Sequence, residues 1–516
     1  MTDAMPGLTR VVLWRPNLEL RGLADSVALV FICLVPIVLY LPFAGAPFER
    51  DEGVYGTIAQ GLLDGNVPYR DLFDNKPPLV YGWYAFSFLL FGESVVAPRL
   101  VAAALLSLTT LAIFGQARML FSRKVAYVAA ACFAVSTGLP FVALHANTEA
   151  YMLLPLVGSL CCFTLGMRST RLRWFLLAGA LGGVAIMTKQ VAVWNLLALA
   201  VMAVAWRWRT PAPCRTRLAP LGSLLVGAFV TLALIATPFF AVGALDELVY
   251  ANISYNRLYV GALTWGDRVI NLTQGGLFVF AVAAPLIAAA ALGLRSLLGT
   301  RLRAVDYLLI GWALASALGV LTGGRFFPHY FLHLLPAAAL LASLLVRGHV
   351  RRRFGGAAVR LSIGIGALLV GLSLATNGLM YLAPWRTEQR VAPAVFTQKQ
   401  WEEQSRVLGV YIAERTNPDD KVFNLGRESQ IYFYAQRSPA VTYFYDWAYQ
   451  YDERTLAPTI AALEQAKPIY IIDTLQPPLF APEARPPGFS DFLASHYEYE
   501  GRLYFADVYR LKARRE

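Results

Sequence analysis

Apolar positions in this chain do not alternate with polar ones; they run on. Long apolar stretches recur from Ala24 to about Leu382, separated by short basic clusters. They fall near 24–44, 99–117, 125–143, 150–166, 174–188, 190–206, 219–243, 275–294, 305–322, 329–346 and 360–382. Each reaches or approaches the ~20 residues that carry a helix across about 30 Å of hydrocarbon. The pattern therefore predicts about eleven transmembrane helices. The first is too long for the apolar part of a signal peptide and no small-residue cleavage site follows it, so it reads as an uncleaved anchor. Pro78 to Phe91 is also apolar but has only 14 residues. At about 1.5 Å per residue that is roughly 21 Å, too short to cross upright, so it is placed flat at the interface. Val54, Tyr55, Ile58, Leu62 and Leu63 recur at helical spacing and make 53–63 a second interfacial helix.

After about Pro384 the pattern changes. The remaining segment is polar, charged and rich in tyrosine, and long enough for one small domain. Helices are expected at Gln404–Arg415 and Thr455–Ala466. Strands are expected at Lys421–Leu425, Ala440–Tyr445, Pro468–Asp473 and Tyr504–Leu511. The expected architecture is a polytopic α-helical membrane region, residues 1–383, followed by a C-terminal α/β domain, residues 384–516.

Composition agrees with a lipid environment. Of 516 residues, 57% are hydrophobic and only 15% are charged, and the mean hydropathy is +0.50. This excludes a soluble globular enzyme, a disordered chain and a secreted disulfide scaffold. The five cysteines form no spaced metal motif.

The net charge of +12 is unusual for so apolar a chain, and its placement explains it. The tail holds 16 basic and 18 acidic residues, so the membrane region carries +14. With the N-terminus in the cytoplasm, 21 Lys and Arg fall on the inner side and eight outside. That is the positive-inside asymmetry, and it would reverse if 78–91 crossed the membrane. Eleven crossings put the tail outside. A bacterial inner or plasma membrane suits this plan, and the basic collar needs no nucleic acid to explain it.

The candidate chemistry lies in the sparse outer charges. Asp51 and Glu52 precede the helix at 53–63; at their blandest they are cap and dipole residues. Lys76 stands before Pro77 and Pro78, and Lys189 interrupts two apolar runs. Each reads either as a snorkelling lysine or as a cation held at headgroup depth for a lipid phosphate. Glu149 sits at an outer turn, with a helix N-terminus as its plain reading. In the turn Gly323–Tyr330 the aromatics read as an interfacial belt. His329 and His333 are spaced i, i+4 there, but no third ligand accompanies them, and no metal site or cofactor is expected. The polar, aromatic outer loop with Tyr250, Asn252, Tyr255, Asn256, Arg257 and Tyr259 suits a sugar or a plain interface equally.

The motifs Asp51-Glu52-Gly53-Val54-Tyr55, Gly65-Asn66-Val67-Pro68-Tyr69-Arg70-Asp71, Asp74-Asn75-Lys76-Pro77-Pro78-Leu79, Leu90-Phe91-Gly92 and Arg99-Leu100 occur in order over about 50 residues. In this they resemble the GT-C glycosyltransferases, specifically the protein-mannosyltransferase-like and aminoarabinose-transferase-like branch, glycosyltransferase family 39/83. Thr188-Lys189 and Pro328-His329-Tyr330 extend the likeness.

The resemblance implies an enzyme that takes a sugar from a polyprenyl-phosphate donor and passes it to an acceptor hydroxyl at the outer face, without metal and with inversion. The acceptor class, whether glycan, lipid or protein, stays open. By the same likeness Asp51 is the base, Glu52 supports donor or acceptor geometry, and Glu149 takes the family's second acidic position. Lys76 and Lys189, with Arg257 or Arg268, would hold the donor phosphate. Tyr55, Asp74, His329 and Tyr330 would line the donor or acceptor pocket. An isoprenoid-lipid flippase or a non-catalytic envelope-assembly protein are the competing readings. Transporters carry charge at mid-membrane, and here the charge gathers at one face.

Overall fold

The computed structural model describes residues 22–139, 145–208, 214–299, 302–347, 393–475 and 488–512, with isolated positions between 357 and 371. The long apolar runs are helices, as backbone groups in lipid must be satisfied within their own segment. Helices α1 (Leu23–Tyr40), α2 (Arg50–Leu63), α3 (Leu79–Phe91), α4 (Val96–Leu120) and α5 (Arg123–Ser136) open the chain. They are followed by α6 (Thr148–Ser169), α7 (Leu172–Thr188), α8 (Val193–Trp208) and α9 (Cys214–Ala241). Among the described residues, seven helical runs are long and apolar enough to cross a membrane: Leu23–Phe43, Val96–Leu120, Thr148–Ser169, Thr216–Ala241, Trp265–Leu298, Ala304–Thr322 and Pro328–Val346. Leu172–Thr188 and Gln190–Trp206 are apolar helices just below that length, and so is α3. The last expected span, 360–382, lies almost wholly outside the described residues.

Close backbone approach sets part of the packing. A Cβ on Gly179 of α7 would lie 1.8 Å from the Leu224 carbonyl oxygen, and one on Gly227 of α9 would lie 2.0 Å from that of Leu176. These two small residues let α7 and α9 meet backbone to backbone, where van der Waals packing replaces the hydrophobic effect as the cohesive force in lipid.

The outer region expected as a loop after α9 is helical. It comprises α10 (Leu245–Val249), a π-helical turn at Tyr250–Tyr255, α11 (Asn256–Gly261) and α12 (Trp265–Asn271). A second π turn, Leu272–Gly276, joins α12 to α13 (Leu277–Leu298). Then come α14 (Ala304–Thr322), a 3-10 segment Pro328–Leu334, and α15 (Leu335–Ala342). The 3-10 geometry matters, because residues four apart no longer share a face. His333 is buried and bonds the Asn195 side-chain oxygen at 2.8 Å, while His329 lines an open cavity. The one-faced histidine pair expected from an α-helical spacing is therefore not formed.

The tail contains α16 (Pro393–Ala413), α17 (Gln430–Ala435), α18 (Asp446–Gln450), α19 (Glu453–Ala466) and α20 (Phe489–His496) around a small sheet. Its strands are β1 (Val422–Leu425), β2 (Tyr470–Asp473), β3 (Tyr497–Leu503) and β4 (Ala506–Leu511), in the order β1-β2-β4-β3. β1 and β2 are parallel, and β4 runs antiparallel to both β2 and β3. This is the expected α/β character, with two differences. β3 is an additional strand, and 440–445 is irregular, with one isolated bridge just before it between Val422 and Pro439. The polar groups of that segment go elsewhere. The Thr442 carbonyl accepts the Phe73 N–H at 3.0 Å and its hydroxyl donates to the Arg70 carbonyl at 3.1 Å, so the segment docks on the first outer loop.

Candidate active site

The first outer loop is organised around Glu52. The apolar turn after α1 turns several backbone carbonyls toward α4. Arg99, buried near the start of α4, donates to those of Phe43, Ala44, Ala46 and Pro47. Arg99 also grips both Glu52 oxygens, at 3.0 and 2.5 Å. Glu52 further accepts the Ala146 N–H at 2.7 Å and the Glu49 N–H at 3.2 Å. Burial opposes its charge, but Arg99 and His145 outweigh burial and hold the carboxyl down at about 2. Glu52 is thus a fixed anion at the head of α2 and lines neither cavity described below.

Asp74 is equally committed. It accepts the hydroxyls of Tyr81 at 2.9 Å and Tyr445 at 2.7 Å, and the Asn75 N–H at 2.7 Å. It joins the loop to α3 and to the tail, behind the cavity wall. Tyr55 is buried edge-on against Tyr84, with ring centroids 5.6 Å apart, and also lies behind the wall.

Two adjoining cavities remain. The smaller, about 160 Å³, is lined by Lys76, Glu149, Lys189, Asn252, Tyr259 and Tyr330 together with apolar residues of α14. Lys189 occupies the extended break between α7 and the next helical turn, pairs with Glu149, and lies over the Tyr330 ring at 4.0 Å. Lys76 bonds the Asn75 side-chain oxygen at 3.0 Å. Burial works against its charge, but Asp74, Asp51 and other anionic neighbours outweigh burial and keep the lysine above its ordinary range.

The larger cavity, about 370 Å³, is lined by Glu49, Arg50, Asp51, Arg325, His329 and, from the tail, Arg427, Tyr445 and Trp447. Glu52, Asp74 and Glu149 are all bonded, whereas the Asp51 carboxylate has no hydrogen bond or ion pair among the described residues. It is nevertheless felt electrostatically by Lys76, Lys189 and His329.

The sequence suggests Arg257 or Arg268 as a donor cation, and neither lines either of these two cavities. Arg257 is exposed, since α11 turns Asn256 and Tyr259 inward instead. Arg268 donates to the Val260 carbonyl and packs over Trp265. The cavity arginine on this side is Arg325, lying 4.1 Å from the Tyr259 ring and 5.1 Å from that of Tyr451. Its position beside Pro328-His329-Tyr330 is the signal that could have found it. Arg427, Tyr445 and Trp447 gave no signal, because tertiary docking alone brings them in.

Residues 75–239 match the sequence model described as dolichyl-phosphate-mannose-protein mannosyltransferase. No curated protein matches the chain by sequence. In three dimensions the chain superposes on ArnT from Cupriavidus metallidurans, in its apo state, with a TM-score of 0.56. The identity is 15%, over 95% of this chain and 98% of that one. The chain has a GT-C glycosyltransferase fold. The same fold is seen in the oligosaccharyltransferase AglB from Archaeoglobus fulgidus, in complex with an inhibitory peptide and a dolichol-phosphate. That match has a TM-score of 0.51 at 13% identity, over 95% of this chain and 74% of that one. A second structure of the Archaeoglobus enzyme, tethered to an acceptor peptide, matches with a TM-score of 0.50 at 15% identity, over 87% and 68%. The motif resemblance to the mannosyltransferase- and ArnT-like branch of GT-C proteins is borne out, and the first-loop lysine lies inside the matched segment.

Proposed function

We propose that this GT-C protein transfers a sugar from a polyprenyl-phosphate donor to an acceptor hydroxyl at the extracytoplasmic face of the membrane. The observation that carries the reading is the contrast among the acids. Glu52, Asp74 and Glu149 are each bonded, and Asp51 is left free on an open polar cavity beside a second cavity that holds two lysines.

The acceptor enters the Asp51 cavity and the donor phosphate lies beside Lys76. The acceptor oxygen attacks the sugar's anomeric carbon from the face opposite the phosphate. The bond from that carbon to the phosphate oxygen breaks with its electron pair leaving on phosphate, so the configuration inverts. The acceptor proton passes to Asp51, a general base within reach of the hydroxyl. Negative charge gathering on the phosphate is met by Lys76, fixed in place before the reaction. Lys189, neutralised by Glu149, serves as the inner wall with Tyr330.

The test is transfer of label from a radiolabelled polyprenyl-phosphate mannose to candidate glycan, lipid and peptide acceptors by the purified full chain. Asp51→Asn should lower kcat at least 100-fold and leave the affinity for polyprenyl phosphate within about twofold, as expected for loss of a general base. Full activity of that variant would remove Asp51 from its role. Lys76→Ala should chiefly weaken binding of polyprenyl phosphate.

A further inference from the structure

We infer that Asn75 is the positioning residue that makes Lys76 a phosphate-binding cation, with Asn256 and Gln190 as its supports. The inference rests on the donor-side reading of Lys76 and adds the groups that aim it.

A lysine is a compact charge on a flexible stem, and without support it loses much of its binding energy to conformational entropy. Here the support is built from three separated parts of the chain. The Lys76 ammonium donates to the Asn75 side-chain oxygen at 3.0 Å. A lysine only donates, so that contact fixes which end of the Asn75 amide is oxygen. The Asn75 nitrogen then faces the Asn256 side-chain oxygen, at 3.2 Å. This in turn fixes the Asn256 amide, whose nitrogen donates to the Asn75 backbone carbonyl at 2.8 Å and to that of Ala251 at 3.0 Å. Gln190 donates to the same Asn75 carbonyl at 2.9 Å. Asn75 is itself buried, 6% exposed.

The Lys76 contact orients the Asn75 amide, and the Asn75 amide orients that of Asn256. The Lys76 carbonyl is held as well, by the hydroxyl of Tyr69 at 2.8 Å. The ammonium spends one of its three donors on Asn75. The other two have no partner among the described residues and are available to phosphate oxygens in the cavity that Lys76, Asn75, Gln190 and Asn256 all line. Asn256 follows directly on a π-helical turn, and such turns commonly accompany functional sites.

A double-mutant cycle tests this on the full chain in nanodiscs, with undecaprenyl phosphate and the uncharged undecaprenol as probes. Asn75→Ala should weaken undecaprenyl phosphate about tenfold, the usual worth of a hydrogen bond to a charged group. It should leave undecaprenol within about twofold. In a Lys76→Ala background the same change should cost less than about twofold, because Asn75 acts through the lysine. Asn256→Ala, which removes the support from the other side, should repeat both results and carries the test if Asn75→Ala fails to fold. Equal weakening of both probes would make Asn75 merely structural and overturn the inference. Full additivity with Lys76→Ala would overturn it too, as would unchanged phosphate affinity in Asn75→Ala. If Lys76→Ala itself leaves phosphate affinity unchanged, the reading of Lys76 falls and this inference falls with it. If only the Asn75 arm fails, the Lys76 reading stands.

Discussion

Asp51 and Glu52 are adjacent in sequence and opposite in circumstance. One has no bond and faces a cavity; the other is buried in an ion pair. Breaking a buried pair on one side leaves an uncompensated charge, which costs about 3–5 kcal/mol. Arg99→Ala should therefore destabilise the protein by about that amount, and Glu52→Gln combined with Arg99→Met by distinctly less. Thermal unfolding of the purified variants decides, and equal losses would count against a buried pair. Glu49 and His145, beside this pair, make stability depend on pH. Burial is the main force pushing the Glu49 carboxyl up to about 8, with Asp51, Glu52 and Glu402 adding like charge against the opposing pull of His145. Burial alone would lower His145, but Glu52 and Glu49 outweigh it and raise the imidazole to about 9. The folded protein thus keeps protons that the unfolded chain releases near 4.5 and 6.5. Each contribution is complete below the lower value and lost as pH rises through the upper one. The unfolding temperature should fall between pH 4.5 and 9, with the Glu49 part lost by about pH 8 and the His145 part between 6.5 and 9, and Glu49→Gln should shrink the fall; a profile that is flat in the wild type would contradict both shifts.

At the scale of elements, the contact between α2 and α17 holds the tail on the first loop. Arg50 pairs with Glu428 at 2.7 Å, and Gly53 lies so close to α17 that an added Cβ would meet the Gln430 backbone nitrogen at 2.4 Å. Backbone cannot yield as a side-chain tip can. Gly53→Ala should cost about 1–3 kcal/mol by overpacking, and should lower kcat because Asp51 sits two residues away. Unfolding and transfer assays on this one variant measure both; wild-type values would mean the two helices are not in register as described.

This is also where the reach of the sequence shows. Asp51, Lys76 and the lysine at the α7 break were legible, because charges are costly at membrane depth and stand out against apolar runs. The spans were legible from length and hydropathy. The partners of Glu52 were not, since Arg99 reads as one more outer cation until the turn at 43–47 folds around it. Arg325 was not singled out, because its turn read as an interfacial aromatic belt, and only the folded chain shows that it faces a cavity.

For the whole molecule, the basic collar, the eleven expected crossings and the outer acids all argue for a cytoplasmic N-terminus and an extracytoplasmic tail. Single-cysteine labelling of intact cells, in a background without the native cysteines, tests it. Ser438→Cys, exposed in the tail, should react with a membrane-impermeant maleimide from outside. Ser122→Cys, exposed at the turn between α4 and α5, should react only after permeabilisation. The reverse pattern would invert the topology.

The docking of the tail has a consequence in time. Arg427, Tyr445 and Trp447 wall the Asp51 cavity, and they lie in the last fifth of the chain, after the apolar spans. Asp51 and Lys76 come from the first fifth. A nascent chain whose early helices have already inserted therefore has a carboxylate and a cation in place but no closed chamber around them. Synthesis must finish and the tail must fold before the chamber exists, so under the proposed reaction a half-made protein has no enclosed place in which to spend a lipid-linked sugar on water.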